Sequence, residues 1–265
     1  MTTLGAIFPP DLPPERLRSA ALAADEAGLE QLWVWEDCFK ESGIATAAAI
    51  LAWTQHLVVG IGLLPVPLRN VALTAMEIAT LERLFPGRLV PGVGHGVAEW
   101  MEQVGARAPS PMTLLREYTT ALRALLHRET VTTAGRHVQL TDVALDWPPD
   151  PPPPLFVGAV RERTMSLAGE LGDGVIMTGE STPSAVREAM VHLRNGRAGA
   201  GRDGEADVVV FLPVHGELVA SREAQRVAEL TEAGATHVLL LALDDSPLLE
   251  DLVVFVAQDL RPLVP

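Results

Sequence analysis

The sequence predicts an α/β protein, a (β/α)8 TIM barrel formed as one domain over residues 1–265, with a small segment inserted after the fourth helix. Three observations lead there. Apolar, β-rich runs alternate with helical patterns along the whole chain, which is the sequence form of a parallel sheet with crossover helices. Eight runs qualify as strands: Leu4–Phe8, Leu32–Trp35, Leu57–Leu63, Leu89–Gly94, Leu155–Gly158, Gly174–Thr178, Asp207–Leu212 and His237–Leu243. Eight is the barrel count, whereas an open doubly wound sheet usually has about five to seven strands. Finally, 265 residues of which 48% are hydrophobic suit one large core, a length ordinary for a barrel.

Helix punctuation supports each unit in turn. Glu26-Ala27-Gly28, Glu170-Leu171-Gly172 and Glu232-Ala233-Gly234 each precede a strand by a few residues. Glycine in these phrases supplies the left-handed turn that ends a helix. Thr182-Pro183 and Ser246-Pro247 place a capping hydroxyl before a proline at the first helical position, where a missing N–H costs nothing. Ser221 is the expected cap of a helix over Arg222–Ala233. One stretch breaks the rhythm, between the helix Thr113–His127 and the strand at Leu155. Val131–Thr133, Gly135 and Val138–Leu140 read as a small β-hairpin. The prolines from Pro148 to Pro154 read as a stiff extended connector on the outside of the barrel.

Composition excludes several functions. A net charge of −14 argues against nucleic acid and against anionic membrane surfaces. No apolar run approaches the roughly 20 residues that cross a bilayer, and the start Met1–Leu4 carries no basic leader. The single cysteine, Cys38, rules out an internal disulfide framework and suits a reducing cytoplasm. The partner expected is therefore a small molecule.

In an α/β barrel the chemistry sits at the C-terminal ends of the strands, where the βα loops converge. Of seven histidines, only His95 and His215 fall there. No His-x-His lies on a strand and no His-Glu-x-x-His occurs, which disfavours a metal-dependent hydrolase. The same rule selects Trp35-Glu36-Asp37, the loop Pro65–Asn70, Glu99, Gly158–Arg161 and Thr178–Ser181. Gly158-Ala159 leads into a helix around Glu162–Leu171, and a small-residue turn at a helix N-terminus offers N–H groups to a phosphate. Arg161 and Arg163 lie beside it. No P-loop, dinucleotide fingerprint or G-x-S-x-G elbow competes.

These residues carry a resemblance. Phe8-Pro9, Ala27-Gly28, Leu32–Asp37, Ala52-Trp53-Thr54 before Val59–Gly62, and Arg69–Ala72 are similar to the luciferase-like flavin-dependent oxidoreductases. The most characteristic block is Phe85–Gly96, followed later by Pro154–Ala159 and Gly172–Val175. The resemblance implies coenzyme F420, or alternatively flavin mononucleotide (FMN), bound across the top of the barrel. It implies a bulge, often with a non-proline cis peptide, at Gly62-Leu63-Leu64, with glycines at Gly92, Gly94 and Gly96 clearing space for the ring. The phosphate is expected against Gly158-Ala159 and Gly179, with Arg161 and Glu99 also toward the coenzyme. It also implies a homodimer. Many F420-dependent members carry Asp-His after strand two, where this chain has Glu36-Asp37. Sugar-phosphate-oxidising members carry a glutamate where this chain has His95. His95, Glu36 and Asp37 are therefore the candidate proton carriers. Three functions stay open: hydride transfer between F420 and a small organic substrate, a reduced-FMN monooxygenase using oxygen, and a non-catalytic flavin-binding barrel. The lack of an obvious inserted lid favours the first.

Overall fold

In the computed structural model, residues 1–179, 181–243 and 248–264 are described. The strands in chain order are β1 (Thr3–Ile7), β2 (Gln31–Val34), β3 (Val58–Pro65), β4 (Leu89–Gly94), β5 (Val131–Ala134), β6 (Gln139–Val143), β7 (Phe156–Ala159), β8 (Gly174–Met177), β9 (Asp207–Val214) and β10 (His237–Ala242). Eight of them close into a parallel barrel in the order β1-β10-β9-β8-β7-β4-β3-β2. β5 and β6 pair only with each other, antiparallel. The eight expected barrel strands are thus all present, with boundaries within two residues of expectation.

The helices are α1 (Leu17–Ala27), α2 (Gly43–Trp53), α3 (Val71–Leu84), α4 (Ala98–Gln103), α5 (Pro111–Leu126), α6 (Glu162–Leu171), α7 (Pro183–Gly199), α8 (Ala220–Ala233) and α9 (Leu249–Val254). Gly28 and Gly234 end α1 and α8 at φ +79° and +118°, the left-handed turn that only glycine adopts freely. The third phrase differs. Gly172 is extended at φ −91°, and a Cβ there would stand 2.9 Å from the Ala168 carbonyl oxygen, so this glycine serves close packing. Thr182 caps α7 as expected, accepting from the Ala185 N–H at 3.3 Å ahead of Pro183. Ser221 does not cap α8. The helix begins one residue earlier at Ala220, after Val219, with no side-chain cap. The Ser246-Pro247 cap lies outside the described residues.

The hairpin is inserted after α5, as the sequence predicts. Its turn is held by Glu117 of α5, whose carboxylate accepts the N–H groups of Arg136, His137 and Val138 at 2.8–3.0 Å. Past it, the Arg83 guanidinium lies 5.4 Å from the Trp147 ring centroid. The Phe85–Arg88 part of the family block proves to be a clamp at the opposite end of the barrel from the βα loops. Arg88 donates to the carbonyls of Leu57 and Thr54 at 3.0 Å, joining the end of α2 to the start of β3.

The barrel interior is packed. Ile7, Trp33, Val90, Phe156, Ile176, Val209 and Leu239 form a core inside the ring, separate from the larger core between strands and helices. Trp33 is fully buried and its Nε1–H is satisfied by Gln31 Oε1 at 2.9 Å. Such a ring fits only because a Cβ on Gly60 would fall 2.1 Å from it and is absent. At the N-terminal face, Asp173, just ahead of β8, ties the start of β7 to α5 and to the loop after α7. It accepts from the Leu155 N–H and from Arg123 at 2.9 Å and from Arg202 at 2.7 Å. With the interior filled and this face tied, the open space is left at the C-terminal ends of the strands.

Candidate active site

A cavity of 840 Å³ opens there, bounded by the loops after β2, β4 and β7 and by the ends of β3, β8 and β9. Its floor is made by β3. The β3–β4 register shifts between Ile61 and Leu64, and the Gly62–Leu63 peptide is cis. The bulge implied by the resemblance is therefore present. It also settles the odd and even positions of the strand, because side chains alternate between faces. Leu63 turns into the cavity, whereas Leu64 is 1% exposed and packs outward against Gly43 of α2. Leu64 belongs to the core, which corrects its expected place beside the coenzyme.

The glycines also make room for protein side chains, a role the sequence did not reveal. A Cβ on Gly94 would stand 2.5 Å from Leu63 Cδ2, and one on Gly158 only 2.1 Å from the same atom. A Cβ on Gly92 would meet Ile176, and one on Gly96 would meet Pro65. At these positions neighbouring protein side chains already stand where a Cβ would fall. Gly62 and Gly158 line the cavity; Gly94 does not.

Glu36 and Asp37 both line the cavity, and they differ sharply. Glu36 is committed to the fold. Its carboxylate accepts from Arg69 at 2.5 and 3.3 Å and from the Gly43 N–H at 2.8 Å, the first amide of α2. Arg69 also approaches Glu77 at 3.6 Å, and burial together with the nearby Glu36 pushes the Glu77 carboxyl up. Tyr118 closes this cluster, donating to Thr74 at 2.7 Å, with its phenol pushed up to about 12 by burial. Asp37 has no ion-pair partner among the described residues. It accepts the Trp35 Nε1–H at 3.1 Å and so fixes an indole that stacks on Phe211, centroids 5.6 Å apart and planes at 20°.

His95 follows β4 at the cavity wall, half-buried, and burial lowers its pKa below the ordinary histidine value. A neutral imidazole offers one acceptor and one donor nitrogen, as proton transfer requires. Across the β7–α6 turn, Gly158, Ala159 and Arg161 line the cavity, with Arg163 and Thr164 on the first turn of α6. No side chain caps α6; the Thr164 and Met165 amides bond to the Arg161 carbonyl, both at 2.9 Å, which leaves those of Glu162 and Arg163 as the amides at this end without an intrahelical acceptor. Arg161 and Arg163 are exposed and have no ion-pair partner among the described residues. Besides Leu64 and Gly94, two more expected coenzyme contacts fall outside the lining. Glu99 is exposed on the first turn of α4, and Gly179 is exposed beside Val160, while its neighbour Thr178 takes the lining position. Phe211, Trp100 and Met112 also line the cavity and escaped the sequence reading. Apolar residues in regular elements carry no motif; the one available signal was that Phe211 sits near the C-terminal end of a strand.

The luciferase-like monooxygenase family model matches residues 3–244. With this barrel and top-face cavity, the chain belongs to that family. It is 27% identical over 210 residues to a 5,10-methylenetetrahydromethanopterin reductase of Methanolobus tindarius, covering 79% of this chain and 64% of the relative. It is 31% identical over 208 residues to an F420-dependent glucose-6-phosphate dehydrogenase of Kineococcus radiotolerans, covering 73% and 62%. The chain thus spans somewhat less than two thirds of the length of these curated relatives. Among solved structures, an F420-dependent secondary alcohol dehydrogenase bound to an F420–acetone adduct superposes with a TM-score of 0.87 at 19% identity, covering 100% and 99%. At that identity the likeness is one of fold.

Proposed function

We propose that this chain is an oxidoreductase that exchanges a hydride between coenzyme F420 and a small organic substrate, both held in the 840 Å³ top-face cavity. The observation that carries the reading is the continuity of that cavity from an apolar floor at Leu63 to an uncapped helix N-terminus at α6. Two relatives named for F420 or methanopterin chemistry support it. F420, when bound, supplies the hydride donor or acceptor. The Glu162 and Arg163 amides of α6, Arg161 and Gly158-Ala159 would then hold its phosphate, because a helix N-terminus carries partial positive charge. Leu63 and the aromatic side chains exclude water and leave the reacting faces dry. An imidazole nitrogen of His95, neutral through burial, takes the proton released when an alcohol is oxidised and returns it in reduction. Asp37 is the second proton carrier to test. Glu36, locked by Arg69 and Gly43, orients the β2 loop instead.

The working form is proposed as a cytoplasmic homodimer. The unpaired Cys38 supports a reducing compartment, and exposed Leu73 and Met76 on α3 support burial against a second copy. Among the described residues, no helix is long and apolar enough to cross a membrane.

The test is separate titration with F420 and FMN, followed by fluorescence quenching. Saturable F420 binding is expected, with Arg161→Ala weakening F420 more than FMN, since the carboxylates of the F420 tail give the guanidinium additional charge to meet. Saturable FMN binding without an F420 response would replace this reading by an FMN-dependent monooxygenase. Binding of neither would overturn both.

A further inference from the structure

The geometry points to a substrate that is an apolar, ring-bearing molecule without an anionic group, selected by the stacked Trp35–Phe211 pair. This deepens the hydride-transfer reading and rests on it for one point, that the coenzyme phosphate occupies the α6 end.

The barrel order places the two ends of the cavity. Trp35 follows β2 and Phe211 lies on β9, and in the closed ring these strands flank β1 and β10. Their stack therefore spans the tops of β10 and β1. Directly across the ring stand β4 and β7, whose loops carry His95 and Gly158. A substrate beside His95 accordingly has an aromatic face opposite it. That face is held in place: Asp37 fixes the indole at 3.1 Å, and the two rings lie within 20° of parallel. Stacked aromatics favour a flat or ring-shaped apolar partner over a hydrated one.

Charge sorts the same two ends. Among the described residues, the arginines lining the cavity are Arg161 and Arg163, both at the α6 N-terminus with Glu162 between them, and no lysine lines it. At the β2 end the charged side chains are Glu36 and Asp37. The Glu36 charge is answered by Arg69, but Asp37 has no cation within ion-pair distance among the described residues. An anionic group placed there would lose its water and meet a carboxylate, with no donor to replace either. The apolar lining from Leu63, Trp100 and Met112 completes a chamber unsuited to a phosphorylated sugar.

The experiment titrates the full chain, with and without F420, with acetophenone, with 4-acetylbenzoate and with glucose 6-phosphate, reading tryptophan fluorescence and, independently, heat of binding. Acetophenone should bind saturably. With F420 bound, and the α6 end so filled, the benzoate, the same frame plus one carboxylate, should bind at least about tenfold more weakly, and glucose 6-phosphate should not bind. Asp37→Asn should raise benzoate affinity several-fold while changing acetophenone little. Phe211→Ala should weaken acetophenone about tenfold, with Phe211→Leu and circular dichroism separating lost stacking from lost fold. In the F420-loaded chain, equal affinity for ketone and benzoate, glucose 6-phosphate binding, or no ketone binding would each overturn the inference. F420 fluorescence in the same samples separates the two readings. Ketone selectivity without F420 binding overturns the coenzyme assignment alone, and F420 binding with glucose 6-phosphate binding overturns the substrate class alone.

Discussion

Replacing Arg69 by methionine removes the single guanidinium that two carboxylates share. In the native protein it bonds both Glu36 oxygens, at 2.5 and 3.3 Å, and approaches Glu77 at 3.6 Å. The three side chains are only 15%, 10% and 25% exposed. Methionine fills most of the volume, so the loss is electrostatic. Removing one partner of a buried ion pair costs about 3–5 kcal/mol, because the other charge is left uncompensated. Here Glu36 keeps the Gly43 amide and water reaches part of Glu77, which argues for the lower end, about 2–3 kcal/mol. In a chain of this size that corresponds to a drop in Tm of about 5–10 °C. The deficit also has a defined pH dependence. Burial raises the Glu77 carboxyl and Arg69 opposes it, so removing Arg69 raises it further. A group whose folded pKa is raised contributes stability below its unfolded value and loses it as pH rises through the folded value. Thermal unfolding followed by circular dichroism should therefore show a larger deficit at about pH 7.5 than at about pH 5.5. Adding Glu36→Gln and Glu77→Gln to Arg69→Met should recover most of the loss. An unchanged Tm, or a deficit independent of pH, would refute the account. The same logic makes Glu36→Gln alone retain turnover within a few-fold, which a proton carrier would not.

Three further outcomes are expected. His95→Ala should leave F420 affinity within a few-fold and lower turnover by roughly 10²–10⁴; because burial lowers this pKa, native activity should persist below the ordinary histidine value, and that acid limb should vanish in the variant. Gly158→Ala would put a Cβ 2.1 Å from Leu63 Cδ2 and drive that side chain into the cavity, so F420 affinity should fall about tenfold and return when Leu63→Ala is added. Asp173→Asn should cost about 1–3 kcal/mol with turnover unchanged, since the residue lies at the face remote from the cavity. Burial alone would raise the Asp173 carboxyl, but the Leu155 amide, Arg123 and Arg202 outweigh it and hold it low. Its contribution is therefore present above the unfolded value and lost as pH falls, so the variant's acid limb of stability should be flatter, as pH-dependent unfolding would show.

The elements that were legible are those whose cause is local. Alternating apolar runs, the left-handed glycines after α1 and α8, and the Thr182-Pro183 cap each act within a few residues of themselves. Gly172 and Ser221 show where local signals fail. Gly172 is required by a carbonyl approaching it, and Ser221 lost its capping role when α8 started one residue earlier. The site residues divide in the same way. His95, Asp37, Gly158 and Arg161 follow from the rule that strand C-termini carry chemistry. Glu99, Gly179 and Leu64 also satisfied a sequence rule, but helix phase and strand alternation turned them away from the cavity.

By itself the sequence determined the barrel, its strand count, the inserted hairpin, and the loops that hold the candidate chemistry. Periodicity and turn chemistry are properties of short segments, and they are written directly in the chain. The tertiary structure alone decided that Glu36 belongs to Arg69 and that Trp35 meets Phe211. It also decided that the bare positions at Gly94 and Gly158 make room for Leu63. Each of those facts joins residues 31 to 176 positions apart in the sequence. They become neighbours only when the strands pair side by side, and Trp35 meets Phe211 only because the β1–β10 pairing closes the ring.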